Sequence, residues 1–224
     1  MKLRLTVSTL CIALIGMAGC ASKVTPPEEY SGFLSDYSHL KQAQSPSGAE
    51  VMRWVDPQLD LSRYHAVYIE PTQFYPKPQA TAKIPESTLR GINDYYNLAL
   101  KRELAKSLPL AQGPGPGVIV LRAAITAVSS KTEGLKPYEY IPVALLAAAV
   151  STGAGIRDQE TTLGTEAQLL DGASGKVLAQ VVRKGTGKPL SNDSQVMKAD
   201  DVKNVMDGWA SDMHQSYLKL KSGK

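Results

Sequence analysis

Residues 118–129 read Val-Ile-Val-Leu-Arg-Ala-Ala-Ile-Thr-Ala-Val-Ser, and this stretch decides the fold. It begins with a continuous apolar run from Val118 to Leu121. Such a run is typical of a strand whose two faces are both buried, and therefore of a strand inside a sheet. We predict a central strand at Val118–Ser129 and expect the other elements to pack around it.

A strand and a helix precede this central strand. Tyr64–Glu70 is rich in β-branched and aromatic residues and is closed by Pro71, which predicts a short strand. Between Ser87 and Leu108 the apolar residues recur at helical spacing, and Pro109 ends the pattern. The predicted apolar face of this helix consists of Leu89, Ile92, Tyr96, Leu100 and Leu104.

A hairpin and a second helix follow the central strand. Thr165–Asp171 and Lys176–Lys184 flank a Gly-Ala-Ser-Gly turn and predict two paired strands. Asp200–Leu220 has an apolar stripe that includes Trp209, which we expect to be a core or rim anchor, like Trp54. The order β-α-β, an apolar segment, then β-β-α favours the α/β (α+β) class, a mixed β-sheet with helices packed mainly on one face.

The N-terminus has the pattern of an export signal. Lys2 and Arg4 precede an apolar run at Leu5–Ile15, and small residues lead to Cys20. The apolar run is too short to span a membrane, and the order basic, apolar, small is that of a secretory signal peptide. The segment ending at Cys20 resembles the lipobox of bacterial lipoproteins, in which the cysteine sulfur takes a diacylglycerol before the signal is removed.

The lipobox resemblance implies that Cys20 is the lipidation site and anchors the chain to a membrane through its acyl chains, palmitate included. Ala21-Ser22 lacks the aspartate that retains enterobacterial lipoproteins in the inner membrane. By this resemblance the protein is expected at the outer membrane of a Gram-negative bacterium, facing the periplasm. Cys11 lies within the signal, so the mature protein would have no disulfide and no free thiol.

We divide the chain into a signal peptide at 1–19, a lipidated tether at 20–50 and a single periplasmic domain at 51–224. Folded structure is expected to begin near Met52, after a polar link at Gln42–Glu50. The tether is aromatic at Tyr30–Leu40, whereas disordered linkers seldom contain such residues. We therefore expect this aromatic strip to pack against the domain.

The segment Tyr140–Gly155 is strongly apolar but too short to cross a bilayer as one helix. It is expected either to be buried against the sheet or to form an exposed apolar flap that meets a partner or the membrane. Such a flap would also suit a structural oligomer. The candidate interaction surface consists of Phe33, Tyr37, Tyr140, Leu145, Leu146 and Val150.

The sequence contains no recognisable catalytic or metal-binding motif. Its three histidines, His39, His65 and His214, do not have metal-ligand spacing, and no Gly-x-Ser-x-Gly elbow is present. We therefore predict no catalytic residue, no cofactor and no metal. The formal net charge of +4 falls by two when Lys2 and Arg4 leave with the signal, so nucleic acid is not an expected partner.

Several short stretches together resemble a family of bacterial lipoproteins built on a domain of unknown function, DUF3313. Their order and spacing carry the resemblance, and they extend over most of the mature chain. The family implies no activity, so no residue here inherits a catalytic role. The matching stretches are 31–37, 53–57, 64–71, 121–128, 166–171, 175–179 and 208–210.

Two functions follow as hypotheses. The first is a non-enzymatic envelope lipoprotein that touches the membrane through the lipid on Cys20 and binds an envelope protein or glycan. The second is a periplasmic hydrolase that acts on peptidoglycan or lipid. The second would require polar groups that converge in a cleft, around Asp56, Glu70 or His65.

Overall fold

The computed structural model describes residues 24–132, 159–192 and 194–223, which form a seven-stranded mixed sheet and two long helices. The strands lie in the order β1-β2-β7-β6-β5-β3, and β4 pairs with β5 beyond the end of β3. The elements are β1 Lys41–Gln44, β2 Glu50–Val55, β3 Ala66–Ile69, β4 Gln73–Phe74, α1 Glu86–Leu104, β5 Val118–Thr132, β6 Gln159–Asp171, β7 Val177–Thr186 and α2 Lys203–Lys221.

Strand β5 occupies the interior position that its apolar run predicts. It pairs in parallel with β3 and β4 on one side and antiparallel with β6 on the other. Val118, Ile119, Val120 and Leu121 are all buried, so both faces of the strand are covered at its start. The prediction of a central strand is confirmed, and its pairing with β3 makes the sheet a mixed one.

Both long helices pack on the same face of the sheet, as predicted. Ile92, Tyr96 and Leu100 of α1 are fully or almost fully buried, and they join one core with Trp209 of α2 and Leu121 of β5. The two helices also contact each other through Arg102, which lies 2.8 Å from Asp207. Helix α1 ends at Leu104, earlier than the predicted end at Leu108, because the chain continues in turns before Pro109.

The opposite face of the sheet is partly covered by residues 24–40, which we call the N-terminal segment. Leu34 and Leu40 of this segment form a second apolar cluster with Val182 of β7 and with Trp54 of β2. The prediction that the aromatic strip packs against the domain is therefore confirmed. The helices cover one face of the sheet, and the N-terminal segment covers part of the other.

The sheet begins earlier in the chain than the sequence predicted. Lys41–Gln44, which includes the start of the expected polar link at Gln42, forms edge strand β1 and pairs antiparallel with β2. The expected start of folded structure near Met52 is therefore too late. Polar side chains suit β1 because an edge strand is held by backbone pairing with one neighbour and needs little burial of its own.

The buried face of α1 provides a direct test of this packing. Replacing Leu100, which is 0% exposed, by Ala should lower the free energy of unfolding by about 2–5 kcal/mol, because the cavity left behind is only partly filled. Leu98 of the same helix is 58% exposed and is the matched control. Urea denaturation of Leu100→Ala and Leu98→Ala should separate the two variants clearly, and equal losses would contradict the assigned helix face.

Candidate functional site: a cavity beside helix α2

The predicted site residues divide into two groups. Cys20 and the four apolar residues Tyr140, Leu145, Leu146 and Val150 lie outside the residues that the structure describes. Phe33 and Tyr37 lie in the N-terminal segment, where both are half-buried and pack against its apolar cluster. The two aromatic residues therefore hold the segment to the sheet.

Tyr37 is tied to a fully buried carboxyl group on β6. Its hydroxyl donates a 2.6 Å hydrogen bond to Oε2 of Glu166, which is 0% exposed. The backbone N–H of Ser31 donates to Oε1 of the same carboxyl at 2.7 Å. Burial of the ring and the neighbouring Glu166 raise the pKa of Tyr37 to about 12. The N-terminal segment is thus fixed by polar contacts as well as by apolar packing.

A cavity lies on the helix side of the sheet, between α2 and strands that include β2 and β7. Its volume is about 120 Å³, comparable to the roughly 150 Å³ of an engineered apolar cavity that binds benzene. Most of its wall is hydrocarbon, and Leu220 at one end is 38% exposed, so the wall reaches solvent. The apolar wall includes Val51, Val55, Leu59, Leu61, Met213 and Leu220.

A buried ion pair is part of the cavity wall. Nη2 of Arg183 on β7 lies 2.8 Å from Oδ2 of Asp212 on α2, and the two side chains are 9% and 6% exposed. Both the N–H and the hydroxyl of Ser47, in the β1–β2 turn, also donate to Asp212 at 2.9 Å. Burial alone would raise the pKa of Asp212, but the hydrogen bonds from Arg183 and the serines hold it below its ordinary value.

Three polar atoms in this wall have no hydrogen-bond partner among the residues that the structure describes. They are Oε1 of Gln168, Nε of Arg183 and the hydroxyl oxygen of Tyr217, and each side chain is about nine-tenths buried. Buried donors without partners are rare in proteins because losing water costs about 1–3 kcal/mol. A molecule that placed a polar group in the cavity could satisfy these atoms, so the wall combines an apolar lining with unused hydrogen-bonding groups.

A second, polar cleft of about 290 Å³ lies at the turn of the β6–β7 hairpin. Its charged groups are largely used within the cleft. Nζ of Lys176 lies 2.6 Å from Asp56, and the hydroxyl of Tyr64 donates to Asp171 at 2.8 Å. Hydrogen bonds from Ser174 and Tyr64 lower the pKa of Asp171 to about 2. Because these groups satisfy one another, this cleft is the weaker candidate for a ligand site.

A hydrolase would require converging polar groups around Asp56, Glu70 or His65, and of these three residues only Asp56 lines the polar cleft. Glu70 pairs with Arg122 at 2.8 Å, whereas Asp56 pairs with Lys176. His65 precedes β3 and Glu70 follows it, so five extended residues, or about 16 Å, separate their backbones. Within the described ranges no group of three or more His, Cys, Asp and Glu side chains could hold a metal ion.

Sequence reasoning missed the cavity but contained one signal for it. Asp212 lies three residues after Trp209 and therefore on the same side of α2, within the apolar stripe. A charge in such a stripe indicates a buried partner, and that partner is Arg183. Trp209 was expected to be a core or rim anchor; it packs in the core and also borders the cavity.

The fold and the cavity define an α+β domain with one helical face and an apolar ligand-sized space. The chain belongs to the protein family of unknown function DUF3313, whose model matches residues 29–213. It is 41% identical over 206 residues to the uncharacterized lipoprotein YdcL of Escherichia coli strain K12, with 92% of each chain covered. In the parts described, no helix is long and apolar enough to cross a membrane.

Two solved structures show distant likeness to this chain. A PelC dodecamer from Paraburkholderia phytofirmans is 11% identical, with a TM-score of 0.38 and coverage of 73% of this chain and 96% of that chain. Protein XCC0632 from Xanthomonas campestris is 14% identical, with a TM-score of 0.39 and coverage of 76% of this chain and 94% of that chain. The family assignment therefore depends on the sequence matches.

The contact between Tyr37 and Glu166 predicts how firmly the N-terminal segment is held. Tyr37→Phe should lower the free energy of unfolding by about 1–3 kcal/mol, since it leaves a buried carboxyl group without its hydroxyl donor. Because the pKa of Tyr37 is raised to about 12, its contribution should be complete below pH 10 and be lost as the pH rises toward 12.

Tyr30→Phe is the control for this prediction. Tyr30 stacks on Tyr37 with ring centroids 4.7 Å apart, but its hydroxyl has no hydrogen bond to a residue that the structure describes. Urea denaturation at pH 8 should show a larger loss for Tyr37→Phe than for Tyr30→Phe. Equal free energies of unfolding for the two variants would contradict a stabilising contact between Tyr37 and Glu166.

Proposed function

We propose that this protein is an outer-membrane lipoprotein that is anchored through acyl chains, palmitate included, on Cys20 and faces the periplasm. The lipobox-like segment before Cys20 and the lipoprotein relative at 41% identity support the anchor. The absence of aspartate after Cys20 supports the outer membrane as its destination.

The domain acts as a binding module and not as an enzyme. The observation that carries this proposal is the cavity beside α2, whose wall is almost entirely apolar. Small-molecule sites in proteins are concave and mostly apolar, with a few polar groups that fix orientation. Arg183 and Tyr217 are groups of that kind, and no reactive constellation lies beside them in the described wall.

The chemistry of the wall also narrows the choice of partner. A glycan carries many hydroxyl groups, and each would lose hydrogen bonds to water on entering a hydrocarbon-lined space. An envelope protein would need a long side chain that fits a cavity of about 120 Å³. A hydrophobic small molecule of the envelope fits the wall better than either, so the cavity is proposed as its binding site.

The anchor is tested by Cys20→Ser. This variant should lose incorporated radiolabelled palmitate and should leave the detergent phase on partitioning, because the acyl chains are attached through the cysteine. Membrane fractionation should place the unaltered protein with outer-membrane markers. Retained labelling in Cys20→Ser would contradict the lipid anchor, and inner-membrane fractionation of the unaltered protein would contradict the proposed location.

The binding role is tested by what co-purifies with the protein from membranes. Ser216 is half-buried in the cavity wall, whereas its neighbour Gln215 is exposed and lies outside it. Ser216→Phe should block the cavity and lose a bound hydrophobic molecule that unaltered protein and Gln215→Phe both retain. Mass spectrometry of solvent extracts measures this, with melting temperatures as the check on folding. The same molecules in all three proteins would contradict the cavity as the site.

A further inference from the structure

We infer that the cavity beside α2 binds one acyl chain whose anionic head group lies at Lys41 and Arg53, on the β1–β2 edge of the sheet. This inference rests on the proposed binding function and names the class of ligand: a single-chain lipid with a carboxylate or phosphate head. It combines two observations: the apolar cavity, and the two cations that the pairing of β1 with β2 places beside it.

The shape of the cavity favours one extended chain. Its wall includes residues from Trp209 to Leu220 of α2, and eleven helical residues extend over about 16 Å. One extended hydrocarbon chain can follow a wall of this length, and a chain longer than the cavity can continue past Leu220, where the wall reaches solvent.

The charges at the sheet edge favour an anion. Arg53 of β2 lines the cavity, and Lys41 of β1 lies directly opposite it in the antiparallel register, so both side chains leave the same face of the sheet. Among the described residues no carboxylate lies within 4 Å of either cation. Like charges directly opposite each other destabilise a strand pair, and an anionic head group would remove that cost.

The remaining charges of the wall do not offset this positive edge. Arg183 and Asp212 neutralise each other at 2.8 Å, so Arg53 gives the lining residues their net positive charge. Elsewhere in the wall, Nε of Arg183 and the hydroxyl of Tyr217 have no hydrogen-bond partner among the described residues. A lipid with an anionic head group would pair with Arg53 and Lys41, and an ester or hydroxyl group on its chain would be a hydrogen-bond partner for Arg183 or Tyr217.

Two tryptophans make the inference measurable. Trp209 borders the cavity, whereas Trp54 packs against the N-terminal segment on the opposite face of the sheet. In a Trp54→Phe background, fluorescence therefore reports on Trp209 alone. The full mature lipoprotein, held in a fluorinated surfactant, is titrated with dibromostearate, dibromostearyl alcohol or brominated lysophosphatidylglycerol, since bromine quenches a tryptophan that it contacts.

The inference predicts saturable quenching by both anionic probes at concentrations at least about tenfold below that needed for the alcohol, as expected when a charged group gains a charge-assisted partner. The double variant Arg53→Gln/Lys41→Gln should lose this preference and still bind the alcohol. Lys101→Gln, on the exposed surface of α1, should retain it. The tighter of the two anionic probes identifies the head group as carboxylate or phosphate.

Two outcomes would overturn the inference, and only the second would also contradict the proposed binding function. Equal affinity for dibromostearate and dibromostearyl alcohol would show that the cavity binds apolar chains whatever the charge of the head group. The proposed binding function would then stand. No saturable quenching by any probe, or equal quenching in Ser216→Phe and Gln215→Phe, would also remove the cavity as the binding site.

Discussion

The buried ion pair between Arg183 and Asp212 is the contact on which the cavity depends. It joins β7 to α2, and Ser47 adds the β1–β2 turn through the same carboxylate. Removing one member of such a pair leaves an uncompensated buried charge, at a cost of about 3–5 kcal/mol. The pair therefore fixes the position of α2 over the sheet, and the space between α2 and β2 keeps its shape.

The other face of the sheet holds the segment that leads to the proposed lipid anchor. The N-terminal segment is already packed at Val24, which is 7% exposed, and Glu166 holds it further along through Ser31 and Tyr37. Four peptide steps separate Val24 from Cys20 and span at most about 14 Å. With acyl chains on Cys20, the domain would lie close to the bilayer and would not hang from a long flexible tether.

Much of the fold could be predicted because its signals are local. The apolar run of β5, the helical spacing of α1 and the glycine-containing turn between β6 and β7 each occur within one short stretch. Strand β1 could not be predicted, because Lys41–Gln44 is polar and its pairing with β2 depends on the neighbouring strand. The helix boundary at Leu104 likewise depends on turns that the following residues form.

The candidate site was harder to predict because its parts are far apart in the chain. Val51, Leu108 and Leu220 meet only when β2, the turns after α1 and the end of α2 are brought together. The cations Lys41 and Arg53 become neighbours only through the register of β1 and β2. Of the residues chosen from the sequence for an interaction surface, Phe33 and Tyr37 pack against the N-terminal cluster.

The most direct measurement is anomalous X-ray diffraction at the bromine edge from crystals of the protein grown with dibromostearate. The account predicts bromine peaks inside the cavity, next to Trp209 and Met213, with the carboxylate beside Arg53. Bromine peaks confined to the outer surface or to the polar cleft near Asp56 would contradict it.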